Sequence, residues 1–186
     1  MREHLSVRDA LPDECEAFGE LLVDVYSRLD GFPSPAEQPE YYRMLADAAS
    51  LARRPGARVL VAVSGQRRVV GGVVFFRDLS QYGAGSAALL GSEASGIRLL
   101  AVDSREQSNG IGTRLTSTCI EIARSAGSEE VILHTTRAMV VARKLYERLG
   151  FRRAEDLDFT QGGMQVQGFR LRLTSRGTTA PGERSA

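Results

Sequence analysis

Apolar residues recur near the start of the chain in steps of three and four, at Cys15, Phe18, Leu22, Val25 and Leu29. That spacing predicts an amphipathic helix opened by Pro12-Asp13. Ahead of it, Leu5 to Arg8 alternate weakly, as a first strand does. Gly31-Phe32-Pro33-Ser34-Pro35 breaks the pattern and sets Phe32 on an exposed loop. Tyr41, Leu45, Ala49 and Ala52 then mark one side of a second helix, stopped by Pro55-Gly56. Val59 to Val63 and Val69 to Phe76 are β-rich runs joined by Ser64-Gly65-Gln66-Arg67, a hairpin signal. Leu79 to Gly96, rich in Gly, Ala and Ser, reads as a long irregular connection. A strand (Ile97 to Val102), a helix (Ile111 to Ala126), a strand (Val131 to Thr135) and a helix (Met139 to Leu149) follow. Gly150-Phe151-Arg152 turns into a short strand, and Gln165 to Leu173 alternate as the last one. In the final helix, Ala138, Val141, Leu145 and Leu149 form the expected core stripe, with Tyr146 at its border. The pattern predicts a single α/β (α+β) domain over residues 1–173, with a mixed, largely antiparallel sheet flanked by helices. Residues 174–186 have the polar composition of a disordered tail.

Composition removes several function classes. A chain of 186 residues can bury a core without staples. With 24 Lys plus Arg against 23 Asp plus Glu, the formal charge of +1 offers nothing to a polyanion, so no nucleic-acid partner is expected. Cys15 and Cys119 sit at apolar positions and read as reduced core thiols. No Cys/His/Asp set has metal-ligand spacing, and no Ser-His-Asp order is suggested. The opening MREHLSVRDALPDE carries charges where a secretory signal needs an apolar run, and no segment approaches ~20 apolar residues. The expectation is a cytoplasmic protein with no membrane partner. Its oligomeric state is not legible, and a homodimer is compatible with the sequence.

The candidate chemistry lies in RLLAVDSREQSNGIGTRL, an apolar strand followed by a polar turn and a helix. A helix amino terminus presents unpaired N–H groups, and glycine lets an anion approach them closely. A nucleotide P-loop needs a lysine after its second glycine, but Thr113 follows Gly112. A dinucleotide fingerprint needs a third small residue where Leu115 stands. What Gln107-Ser108-Asn109-Gly110-Ile111-Gly112 resembles is the coenzyme A pyrophosphate loop of the GNAT family of N-acetyltransferases. Ala142-Arg-Lys-Leu-Tyr146-Glu-Arg-Leu-Gly150-Phe151 is similar to that family's later helix, and the two segments stand in the family's order. The family often has glycine at the position of Ser108, proline at Ser104 and asparagine at Met139. Serine fits the first of these if its φ is negative.

The resemblance implies an acetyl coenzyme A-dependent enzyme that transfers acetyl directly to an unidentified amine. Backbone of Leu100, Ala101 and Val102 would pair with the pantetheine arm, and an N–H near Leu100 or Ala101 would serve as oxyanion donor. The amides of Gln107, Ser108, Asn109, Gly110, Ile111, Gly112 and Thr113 would cradle the pyrophosphate. Arg114 could assist, or simply occupy a solvated helix face. Tyr146 would give a proton to the departing thiolate. Glu93 is a candidate base, with a water chain an equal alternative and Asp103 more naturally a cap of the turn. Phe32, Tyr41, Tyr42 and Tyr82 could line an acceptor pocket, and Asp30, Glu37 or Glu40 could attract an amine. His134 reads as a structural or surface strand histidine. The alternative is a non-catalytic acyl-coenzyme A binding or sensing module, which could dispense with Tyr146.

Overall fold

The computed structural model describes residues 5–83 and 93–173. The predicted tail and residues 84–92, half of the Gly/Ala/Ser-rich connection, lie outside the described residues. Strand β1 (Ser6–Asp9) leads into α1 (Pro12–Ser27), then α2 (Pro39–Ala46) and α3 (Ala48–Ala52), followed by β2 (Ala57–Val63), β3 (Val69–Phe76) and β4 (Ala94–Val102). After them come α4 (Ile111–Ser125), β5 (Glu130–Thr136), α5 (Val140–Arg148), β6 (Arg152–Arg153), β7 (Phe159–Gln161) and β8 (Met164–Arg172). The strands form one sheet in the order β1-β2-β3-β4-β5-β8-β6, with β7 paired to β8. Pairing is antiparallel except between β4 and β5. The mixed, largely antiparallel sheet flanked by helices is therefore as expected from the pattern.

Two cores sandwich the sheet. Phe18, Leu22 and Tyr26 of α1 pack with Leu45 and Leu51 against Val59, Val61, Val74 and Phe76 on one face. Ile111, Leu115 and Cys119 of α4 pack with Leu145 and Tyr146 against Leu60, Val73, Ile97 and Leu133 on the other. Strands β2 and β3 are buried on both faces, which is why they read as continuous apolar runs rather than alternating ones. No helix among the described residues is long and apolar enough to cross a membrane.

Several boundaries move. The second helix divides at Asp47, whose carboxylate accepts from the Ser50 N–H at 3.0 Å and so caps α3. Strand β4 begins at Ala94 rather than Ile97, because small residues are what a crowded position needs. Ser95 is buried against the Ser128 hydroxyl at 2.6 Å, and a side chain at Gly96 would collide with the Tyr82 ring. Hairpin β7–β8, unpredicted from the pattern, turns at Gly162-Gly163, both with positive φ. In α5 the core face is Leu145 and Tyr146, while Val141 is 79% exposed. Phe32 is half-buried beside α1 and α2 rather than exposed.

Candidate active site

The site begins where β4 and β5 part. Their pairing runs only from Ala94–Glu130 to Ile97–Leu133, and β4 continues to Val102 while β5 goes on beside β8 alone. From Arg98 onward, β4 therefore has no strand partner on its β5 side. Its other edge stays on β3, but the register slips between the Gly72–Ala101 and Val74–Arg98 pairs. That slip is a bulge at Leu99, whose φ is +56°. A bulge at the mouth of a wedge re-aims backbone N–H and C=O groups where no strand can satisfy them.

Beyond Val102 the chain turns sharply into α4. Asp103 caps the short Ser104–Glu106 helical turn by accepting from the Arg105 N–H at 3.0 Å. Its carboxylate also meets the guanidinium of Arg68 at 2.5 Å and of Arg105 at 2.8 Å. Arg68 reaches on to Glu106 at 2.9 Å. These contacts hold the Asp103 carboxyl well below the usual carboxylate range, the Arg105 hydrogen bond foremost. Asp103 is thus the cap of the turn, not a base. Gly110 precedes α4 with φ +74°, and the first intrahelical acceptor bond joins the Arg114 N–H to the Gly110 carbonyl at 3.0 Å. The N–H groups of Ile111, Gly112 and Thr113 remain outward at the positive end of the helix. Gly112 has a second duty, since a Cβ there would stand 3.3 Å from the Leu145 side chain, so its absence lets α5 lie against α4. Ser108 has φ +76°, contrary to the negative value a serine there prefers. Arg114 donates to the Leu5 carbonyl at 3.0 Å and takes the helix-face role.

Tyr146 is 5% exposed, edge-on to Phe151 at a centroid distance of 5.8 Å. Burial pushes its phenol above the ordinary tyrosine value, and the nearby Tyr82 phenol acts in the same direction. Tyr146 packs in the core between the sheet and the α4 and α5 helices.

On the other side of the wedge is a cavity of about 60 Å³. Tyr26, Phe32 and Tyr41 form one wall, in mutual aromatic contact at centroid distances of 5.3 to 6.3 Å. Tyr82, Arg98 and His134 form the floor, and Phe159, Gln161 and Met164 of the β7–β8 hairpin form the far wall. Tyr82 is fully buried; its hydroxyl lies 2.9 Å from His134 Nδ1 and 3.2 Å from the Ile97 carbonyl. His134 Nε2 lies 2.9 Å from the Leu157 carbonyl. With Nε2–H donating there, Nδ1 is the acceptor for the Tyr82 O–H. Desolvation lowers the His134 pKa and keeps the ring neutral.

The residues predicted from sequence divide accordingly. Leu100 to Val102 lie on the stretch of β4 beyond its last pairing with β5, and Phe32, Tyr41 and Tyr82 line the cavity. Tyr42 does not; its hydroxyl donates to the Pro33 carbonyl at 2.9 Å. Glu37 is engaged by the Ser34 N–H and hydroxyl, both at 2.7 Å, and Glu40 is exposed. Glu93 is set apart. It precedes β4 at the closed end of the sheet, exposed, its carbonyl accepting from the Glu129 N–H at 2.8 Å. Four residues separate it from the last β4–β5 pair, about 13 Å along a strand, so it does not reach the wedge. Sequence reasoning did not place Tyr26, Arg98, Thr136 or the β7–β8 hairpin at this cavity; His134, expected as a structural or surface histidine, is held between Tyr82 and the Leu157 carbonyl in its floor. The one available signal was a lone arginine inside the apolar run GIRLLAV.

The acetyltransferase (GNAT) family model matches residues 21–151. The chain belongs to that family. Over 69 residues it is 42% identical to N-acetylaspartate synthetase of Danio rerio, a stretch covering 37% of this chain and 24% of that protein. Over 80 residues it is 41% identical to N-alpha-acetyltransferase 30 of Homo sapiens, covering 43% of this chain and 22% of that one. The alignments thus span about a quarter of these curated relatives. Among solved structures, the PaiA N-acetyltransferase of Thermoplasma acidophilum in complex with coenzyme A superposes with a TM-score of 0.68 at 14% identity, over 89% of this chain and 98% of that one. At that identity the likeness shows the fold.

Proposed function

We propose that this GNAT chain transfers the acetyl group of acetyl coenzyme A directly to the amine of a small molecule or peptide. Acetyl coenzyme A is the acyl donor, as membership in an acetyltransferase family implies. One observation carries the reading: the unpartnered edge of β4 runs from the parted strands to the amino terminus of α4. A thioester lying along that edge has its pyrophosphate at the Gln107 to Thr113 loop, on the free amides of Ile111, Gly112 and Thr113 above all, and its pantetheine amides on the backbone of Leu100, Ala101 and Val102. Its acyl end then meets the Leu99 bulge and Tyr146. The coenzyme A complex of the Thermoplasma acidophilum neighbour supports this choice of ligand.

The chemistry is nucleophilic acyl substitution. The amine lone pair forms a C–N bond to the thioester carbon, and the carbonyl oxygen gathers negative charge that a free β4 N–H near Leu100 or Ala101 stabilises. One such donor contributes about 3 kcal/mol. The C–S bond then breaks, its electron pair stays on sulfur, and the Tyr146 O–H supplies the proton. A free phenol has a pKa near ~10 and a thiol near ~8.5, an uphill transfer of about 2 kcal/mol. Burial raises the phenol further, but the same burial destabilises the thiolate it would protonate, so the two effects oppose each other. The walls of the cavity contain no carboxylate among the described residues. The amine attacks in its neutral form and its proton passes to solvent at the cavity mouth rather than to Glu93, which stands about 13 Å from the wedge.

A free-thiol release assay with acetyl coenzyme A and a panel of amines, beside a calorimetric titration, tests the proposal. Binding with turnover of an amine supports it; no acetyl coenzyme A binding sinks it. Tyr146→Phe is expected to lower kcat by about 100-fold while leaving a binding isotherm. Wild-type turnover in that variant would remove Tyr146 from the acid role.

A further inference from the structure

Among the described residues, Arg98 is a guanidinium without a countercharge. It projects from β4 onto the α1–α3 face, as its cross-strand partner Val74 does. There it is half-buried in the floor of the cavity. One Nη1–H donates to the Tyr82 carbonyl at 2.6 Å, and the guanidinium carbon stands 5.4 Å from the Tyr82 ring centroid. These contacts fix the fork, leaving the remaining donors with no acceptor among the described residues. None of the ion pairs of the described residues includes Arg98, and the segment 84–92 contains no Asp or Glu to supply one. The cavity walls otherwise offer aromatic rings, a neutral imidazole, the neutral polar side chains of Thr135, Thr136 and Gln161, and apolar side chains, but no carboxylate among the described residues. A charge half-removed from water in such surroundings needs an anion.

A second group in the same wall points the same way. Thr136 is 5% exposed and its buried Oγ1 has no hydrogen-bond partner. A buried hydroxyl left without a partner is uncommon in a folded protein and marks a place where a ligand atom can complete it. The acyl donor does not answer for Arg98. The pyrophosphate amides follow Val102, at least four residues further along β4 or about 13 Å away, while the guanidinium is anchored to Tyr82 on the opposite face from α5.

The geometry points to an acceptor that carries a carboxylate beside its amine, an amino acid rather than a simple alkylamine, with Arg98 gripping the carboxylate and the Thr136 hydroxyl completing the contact. This rests on the acetyltransferase reading. The fixed fork of an arginine suits a planar carboxylate, which takes two parallel N–H bonds from it. The cavity is small, so the amine and its carboxylate must be close neighbours on the acceptor. The aromatic wall of Tyr26, Phe32 and Tyr41 excludes water from that pair, which strengthens it.

The test is thiol release from acetyl coenzyme A with aspartate, alanine and β-alanine set against alaninamide, ethylamine and a neutral peptide amide. At least one of the three carboxylated amines is expected to exceed the best uncharged amine by about 100-fold in kcat/KM. In Arg98→Gln that ratio should fall to near unity, and in Arg98→Lys to an intermediate value, because a point charge replaces the fork. A merely structural arginine would change both substrates alike and leave the ratio where it was. Should Arg98→Gln fail to fold, Arg98→Lys alone decides, since an undiminished ratio there overturns the assignment. Equal or better turnover of alaninamide, ethylamine or the peptide amide overturns the carboxylate inference and leaves the acetyltransferase standing. Acetyl coenzyme A binding with no turnover of any carboxylated amine overturns it too. Failure to bind acetyl coenzyme A overturns the enzyme reading itself.

Discussion

In the proposed reading, the donor side of the cleft is backbone from one continuous stretch, Ile97 to Thr113, with Tyr146 supplied by α5. The acceptor side is side chains drawn from α1, α2, the turn at Tyr82, β4, β5 and the β7–β8 hairpin. A pyrophosphate asks little of residue type and much of chain path: outward amides, a positive helix end, and glycine where φ is positive. Such a demand is met locally and leaves a local motif. An amine with its substituents asks for charge, hydrogen bonds and shape, and these can come from any part of the chain that the fold brings near. The two sides can therefore be damaged separately.

The widest separation is expected from Gly96→Val. The new side chain would collide with the fully buried Tyr82 ring, and Tyr82 in turn holds Arg98 and His134. Overpacking of this kind costs about 1–3 kcal/mol. Turnover should drop by at least about 10-fold as the cavity floor shifts, an effect of 1.4 kcal/mol or more on the reaction barrier. Calorimetric affinity for acetyl coenzyme A should persist, because the altered contact faces away from α4 and α5. Loss of both together would mean that the two sides form one cooperative unit.

Asp103→Ala strikes the donor side instead. It removes the cap of the turn and the partner of Arg68 and Arg105, and should lower the unfolding free energy by about 1–2 kcal/mol, read as a denaturant midpoint. The pH dependence follows from the depressed carboxyl. Its folded pKa lies below the unfolded value of about 3.9, so its contribution is complete above roughly pH 4 and is lost as pH falls towards the folded value. Wild-type protein should therefore lose stability between pH 4 and pH 2 more steeply than Asp103→Ala. Parallel acid profiles would show that the ion pairs around the turn contribute nothing net.

Legibility followed the same division. The glycine turn and the order of helices and strands could be read from spacing and motif, because each depends on neighbours in sequence, whereas Tyr146, expected at the border of the α5 core stripe, is part of its core face. Arg98 could not. A charged residue in an apolar strand has no local signature that tells a surface position from a cavity floor, and the bulge at Leu99 that shapes this part of β4 leaves none either. His134 was read as structural because its partners, Tyr82 and Leu157, lie 52 and 23 residues away. Glu93 was placed near the chemistry by adjacency to the central strand. A strand has two ends, and the wedge opens only at the far one. The β7–β8 hairpin hid behind a glycine pair between short polar runs, since its burial comes from residues of β8 and from the cavity it closes.

The smallest effect is the one expected at Ser108, and it separates chain path from side chain. A serine at φ +76° bears a steric cost of about 1–2 kcal/mol that glycine does not. Glycine, however, gives up about 0.5–1 kcal/mol through the freedom of its unfolded chain. Ser108→Gly should thus stabilise the protein by about 0.5 kcal/mol, raising Tm by roughly 1–2 °C. Ser108→Ala keeps the strain and should stay near wild type, while Ser108→Val adds a branched Cβ to a left-handed position and should fall below it. If the loop holds its anion by backbone amides alone, affinity for acetyl coenzyme A should stay within about twofold in the glycine and alanine variants, a change under 0.5 kcal/mol. A 10-fold loss in both, with stability unaltered, would mean that the serine hydroxyl is itself a ligand. The serine would then owe its place at a strained position to a hydrogen bond, and the donor side would depend on residue type as the acceptor side does.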